Sequence, residues 1–154
     1  MKNKTNAYEF LAEYYEDLAE KDGYAKWAEY VVSTVKEFST GSRGADLACG
    51  SGYFTRALKK NGFKVFGVDM SSEMLVQAEK KSLKEGLVIE YRLLNLVNFK
   101  SFEKLDFATV INDGFNYLDG DSLKKSFSAI GKSLKKGGAF IFDISSEYKI
   151  KNIL

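Results

Sequence analysis

Two carboxylates and a glycine-rich turn stand where a nucleoside could be held. Asp46-Leu47-Ala48-Cys49-Gly50-Ser51-Gly52 follows a short apolar run and precedes a helical stretch. Glycines at such a junction let the backbone turn sharply and approach a ligand closely. Asp69 closes the next apolar run. A carboxylate at that place can accept both protons of a ribose diol. The turn alone reads equally well as a plain strand-to-helix connection. With Asp69 beside it, the pair reads as a nucleoside site, and the choice of cofactor stays open.

A dinucleotide site wants G-x-G-x-x-G. Counted from Gly50, the third position is Thr55, and counted from Ala48 the first glycine is missing. S-adenosylmethionine has no pyrophosphate and does not need that third close approach. Its sulfonium and amino groups also favour nearby carboxylates and carbonyls. The chain has no histidine, so a histidine triad, a histidine general base and a histidine zinc site are all excluded. Its single cysteine, Cys49, excludes an internal disulfide and reads as a small packed residue rather than a nucleophile.

The elements that must position these residues follow from periodicity. Ala7, Leu11, Tyr14 and Leu18 mark one amphipathic helix; Tyr24, Trp27, Val31, Val35 and Phe38 mark a second. Short apolar runs then alternate with helical stretches. The runs are Ala45–Ala48, Val65–Val68, Leu87–Tyr91, Phe107–Ile111 and Ala139–Ile144. The helical stretches are Tyr53–Lys60, Ser72–Glu85 and Asp121–Lys136, the last expected to stop at Gly137-Gly138. Leu94–Lys104 reads as a loop or a short helical turn. Near-continuous apolar strands separated by helices indicate an α/β fold, a parallel sheet covered on both faces. Ligands in such sheets lie beyond the carboxyl ends of the strands, where strand order reverses.

In combination these segments resemble the class I S-adenosylmethionine-dependent methyltransferases of small-molecule type. Asp46–Gly52 resembles their first motif, with Ala48 where a glycine often stands. Val68-Asp69-Met70-Ser71-Ser72-Glu73-Met74-Leu75 resembles their next segment. Leu94-Asn95-Leu96 falls where the family usually has an aspartate beside the adenine. Asn112-Asp113-Gly114-Phe115-Asn116-Tyr117-Leu118 resembles the segment after strand four. Leu134-Lys135-Lys136-Gly137-Gly138 resembles the turn before strand five, with lysine for proline. Tyr14-Tyr15-Glu16-Asp17-Leu18 and Trp27 resemble the N-terminal lid. The resemblance implies a Rossmann-like doubly wound sheet of order 3-2-1-4-5 in a three-layer α/β/α arrangement. Residues 1–40 would form a helical lid and residues 41–154 the core of one domain.

The resemblance also implies roles. Asp69 would bind the ribose. Met70 and Met74 would lie along the adenine, although Met74 reads equally as a core methionine. Asn95 and Leu96 would meet the adenine edge, unless Asn95 is a surface cap. Asp46, with the backbone of Ala48, Gly50 and Gly52, would hold the methionyl end. Asn112 and Asp113 would flank the methyl-transfer face. Tyr15 and Trp27 would close over the methionyl end or form the apolar stripe of core helices. No catalytic residue can be assigned, although Asn116 and Tyr117 could orient an acceptor.

The reaction class expected is methyl transfer from S-adenosylmethionine to a small molecule. Two other readings stand beside it: a binding module that holds the cofactor without turnover on its own, and an NAD-dependent oxidoreductase. Net charge is +2, which gives no reason to expect a nucleic-acid partner. The segment after strand four also lacks the Pro-Pro of DNA amino-methyltransferases. No apolar run of membrane-spanning length and no signal sequence is apparent, so a cytoplasmic protein is expected. The family usually carries further strands after the fifth. A short C-terminal end would leave strand five as an apolar edge, and self-association through it is expected.

Overall fold

The structure is a computed structural model, which describes residues 23–145 and residue 151. The helix expected over Ala7–Leu18, and with it Tyr15, lies outside the described residues. The elements run α1 (Tyr24–Phe38), β1 (Arg43–Leu47), α2 (Tyr53–Lys60), β2 (Lys64–Asp69), α3 (Ser72–Lys84), β3 (Tyr91–Leu93), a 3-10 turn (Leu96–Asn98), β4 (Leu105–Val110), α4 (Gly120–Ser133) and β5 (Leu134–Phe142). The five strands form one sheet of order β3-β2-β1-β4-β5, and all four pairings are parallel. Strand order reverses between β1 and β4, and that is where the crevice opens.

Each face of the sheet has its own apolar cover. Ala45, Leu47, Ala108 and Val110 face α4, where Ile130 is the buried anchor, and the 3-10 turn adds Leu96. On the other face Phe107 and Val65 pack against Val32 and Val35 of α1 and Leu58 of α2. Helix α1 is therefore more than a lid, since its middle belongs to the core and only its first turn reaches the crevice. Arg56 of α2 pairs with Glu85 at the end of α3, and Ser82 of α3 meets the Tyr91 hydroxyl of β3. Among the described residues no strand pairs with the outer edge of β5.

Two expected boundaries move. The run Leu87–Tyr91 forms no strand until Tyr91, and Val88 is 83% exposed. Apolar content alone does not tell a buried strand from a loop that passes over the surface. Helix α4 stops at Ser133 rather than Lys136, because Leu134 is already extended (ψ 149°). Gly137-Gly138 consequently lies inside β5, where the β4 pairing shifts register between Leu105 and Phe107, and does not end the helix.

Gly44 shows how tightly the sheet is covered. A Cβ there would lie 2.2 Å from the Phe107 ring, which is fully buried and has no room to retreat. Gly44→Ala is expected to lower unfolding stability by about 1–3 kcal/mol, the usual range for overpacking. Urea denaturation checks this, and an unchanged midpoint would mean that the ring moves freely.

Candidate functional site

The crevice between β1 and β4 is a cavity of about 300 Å³ beyond the carboxyl ends of the strands. Its rim carries backbone strain. Ala48 (φ 53°) follows β1, and Asn112 (φ 69°) and Asp113 (φ 61°) follow β4; all three are left-handed without being glycine. Such residues cost of order 1–3 kcal/mol each and persist only where surrounding contacts hold them. After β4 the hold is Asp143. Its carboxylate accepts the backbone N–H of Asn112 (3.1 Å) and of Asp113 (3.0 Å). Hydrogen bonds to a charged acceptor contribute about 1.5–3 kcal/mol each, enough to offset the strain.

The turn after β1 uses its two glycines differently. Gly50 (φ 54°) has open space where a Cβ would point, and it lines the cavity. Gly52 (φ 78°) is not a lining residue; a Cβ there would meet the Tyr91 hydroxyl at 2.5 Å and Ala78 at 3.0 Å. Gly50 leaves room for a ligand, whereas Gly52 lets α2 start close against α3 and β3.

Asp69 sits at the end of β2, on the cavity wall. Its Oδ2 accepts the Gly50 N–H (2.8 Å) and its Oδ1 the Ser71 N–H (2.9 Å). The carboxylate thus ties the glycine turn to the start of α3 and keeps acceptor capacity on both oxygens for a diol. Asp46 lies deeper, 2% exposed. The hydroxyls of Thr55 and Thr109 donate to its two oxygens at 2.6 and 2.7 Å. Burial pushes its carboxyl up from 3.8 to about 6, against the two threonine hydrogen bonds, with a smaller push from the Asp69 charge. Burial, followed by the charges of Asp46 and Asp69, also raises the Cys49 thiol well above its ordinary range. Cys49 lines the cavity as an unactivated wall residue.

The remaining expected residues divide. Ala48, Met70, Met74, Asn95, Leu96 and Asn112 line the cavity. Met70 is 72% exposed, so it stands at the mouth. Asn95 lines the cavity and also caps the 3-10 turn, its Oδ1 accepting the Val97 N–H at 3.0 Å. Trp27 and Asp113 are not lining residues. Trp27 packs edge-on against Tyr24 and Phe54, at 5.5 and 5.2 Å between ring centres. The Asp113 carboxylate accepts from the Ser145 hydroxyl at 2.8 Å.

Sequence reasoning missed several parts of the site. Tyr24, Tyr53 and Phe54 form an aromatic wall. Thr55 and Thr109 hold Asp46, and Asp143 holds the turn after β4. The one signal available for the last was the run Asn112-Asp113-Gly114, residue types that tolerate a left-handed backbone. Among the described residues no helix is long and apolar enough to cross a membrane.

Comparison with known proteins places these features in context. Residues 45–138 match the family model described as methyltransferase domain. A Geobacillus protein named as a methyltransferase is 34% identical over 151 residues, covering 95% of this chain and 60% of its own length. A solved S-adenosylmethionine-dependent methyltransferase from Clostridium acetobutylicum is 38% identical, with a TM-score of 0.82, covering 96% of this chain and 61% of that one. The ubiquinone biosynthesis O-methyltransferase of Pasteurella multocida is 36% identical over 69 residues, 45% of this chain and 28% of its own length. The chain therefore spans about three-fifths of the first two relatives.

Proposed function

Because the chain belongs to the methyltransferase domain family, we propose that its cavity takes up S-adenosylmethionine and that the protein methylates a small-molecule acceptor. The observation that carries this reading is the placement of Asp69. It closes β2, is locked to the Gly50 turn, and faces a cavity whose next wall holds Met70, Met74 and Asn95. A ribose diol suits the free acceptor sites of Asp69, and the adenine suits the thioether and amide wall. The ammonium of the methionyl end suits Asp46. When bound, S-adenosylmethionine supplies a methyl group on a positively charged sulfur, a good leaving group for attack by a lone pair.

The protein's part is positioning and exclusion of water, which can contribute about 7–11 kcal/mol to a two-reactant step. Tyr24, Tyr53, Phe54 and Tyr117 offer an uncharged aromatic surface beside Asn112. That surface suits an acceptor whose attacking atom arrives neutral and needs no general base. The name of the Pasteurella relative, an O-methyltransferase of ubiquinone biosynthesis, agrees with a small acceptor. The dinucleotide alternative loses its phosphate site. Thr55, at the third glycine position, is fully buried and bonded to Asp46, and two nearby carboxylates oppose a pyrophosphate.

Calorimetric titration with S-adenosylmethionine, S-adenosylhomocysteine and NAD tests the reading. Saturable uptake of the first two in preference to NAD is expected; tight NAD binding with no uptake of the others would sink it. Turnover assays then separate an enzyme from a binding module.

Asn95 gives a narrower check. Asn95→Leu removes both the turn cap and any bond to the adenine edge, so about a fivefold loss of affinity is expected for one neutral hydrogen bond. Asn95→Asp keeps an acceptor for both and should bind nearly as well as the wild type. Equal titration curves for all three proteins would take Asn95 out of the site.

A further inference from the structure

A side-chain hydrogen bond joins the first turn of α1 to the loop after β4. Asn112 Nδ2 donates to Tyr24 Oη at 2.6 Å. Asn112 presents that amide from a left-handed backbone, and its neighbour Asp113 is left-handed too. Both of their N–H groups end on one carboxylate, that of Asp143 just after β5. Asp143 is itself anchored, its N–H donating to the Val110 carbonyl at 3.3 Å. It is not a cavity-lining residue, whereas Asn112 and Tyr24 both are. Beyond the link, Tyr24 packs on Tyr53 and Phe54, with which it forms the aromatic wall of the cavity, and on Trp27 behind it.

We propose that Asp143 is a positioning residue: its carboxylate holds Asn112 and Asp113 left-handed, and Asn112 held in this way fastens Tyr24, and with it the first turn of helix α1, against the cavity. Without the carboxylate, two strained residues lose the acceptor that holds them, and the Asn112 amide no longer points at Tyr24. The fastening couples the position of α1 to ligand affinity, because Tyr24 is part of the wall. That coupling rests on the cavity being the S-adenosylmethionine site; the fastening itself does not.

The test uses the full chain as wild type, Tyr24→Phe, Asn112→Gly, Asp143→Ala and the Tyr24→Phe/Asp143→Ala double variant. Hydrogen exchange of the Ala28 and Val31 amides is followed without ligand. S-adenosylhomocysteine is then titrated, with emission of Trp27, the sole tryptophan, reporting the ring cluster. Tyr24→Phe is expected to speed exchange in α1 and to weaken binding by about three- to tenfold, the range for one neutral hydrogen bond. Asn112→Gly, which adopts the left-handed backbone without strain but lacks the amide, should reproduce it. Asp143→Ala should do at least as much and alter the Trp27 emission, and the double variant should be no weaker than Asp143→Ala, since both act through one link. Unchanged exchange in Tyr24→Phe, or additive losses in the double variant, would overturn the proposal. Should Asp143→Ala not fold, Tyr24→Phe and Asn112→Gly decide the matter. Failure of the wild type to take up ligand would count against the site reading, and exchange in α1 then decides the fastening alone.

Discussion

Replacing Asp69 with alanine is expected to weaken S-adenosylmethionine binding by about ten- to a hundredfold. Hydrogen bonds to a charged group contribute about 1.5–3 kcal/mol each, and the diol would lose its acceptor outright. A second effect adds to this one. The carboxylate also receives the Gly50 and Ser71 amides, so its removal loosens the turn that shapes the cavity floor. Asp69→Asn should fall nearly as far, because its amide nitrogen would face one of those N–H groups with no acceptor to offer. Gly50 and Ser71, the two residues that Asp69 ties together, are in neither buried cluster of the sheet, so the fold should survive. Calorimetry reads the affinity and thermal melting reads the fold. A folded Asp69→Ala protein with wild-type affinity would place the ribose elsewhere.

The parts of this molecule that were legible in its sequence are those governed by local spacing. Helix α1 runs over the residues its apolar periodicity marks, α2 covers the helical stretch expected after the glycines, and the Asp46–Gly52 turn joins β1 to α2. The rest depends on register across the sheet, which periodicity does not carry. Asp46 meets Thr109 because β1 and β4 are paired with those residues opposite each other, 63 positions apart. Asp143 reaches Asn112 from 31 positions away, and Tyr24 reaches it from 88. No spacing rule joins such residues until the strand order is known. The two readings of Trp27, over the cavity or within an apolar stripe, stay open in the sequence for a related reason. An aromatic stripe shows which face of a helix is buried, but not whether that face meets a cavity or another ring. Tyr24, three residues earlier on the same face, is the one that reaches the cavity.

Ligand affinity and the part of folding stability that Asp46 contributes should respond to pH in opposite directions. Its carboxyl titrates at about 6 in the folded chain, raised from 3.8 mainly by burial. Between those values the folded chain keeps a proton that the unfolded chain has released. The stability contributed by this group is full below about pH 4 and is lost as pH climbs through about 6. A shift of that size corresponds to about 3 kcal/mol at 1.36 kcal/mol per unit. The ammonium of the methionyl end favours the ionised carboxylate, so uptake of S-adenosylmethionine should strengthen over the same interval, by up to about a hundredfold for two units. Asp143 also titrates above its ordinary value because it is half buried, so the wild-type profile alone does not isolate Asp46. Asp46→Asn does. Its oxygen can accept from one threonine and its amide can donate to the other, so the variant should fold, and the part of both pH slopes that belongs to Asp46 should vanish. Titrations and urea melts at pH 5, 6 and 7 on both proteins decide the point. Identical pH profiles for wild type and Asp46→Asn would show that the buried carboxyl takes no part in holding the ligand.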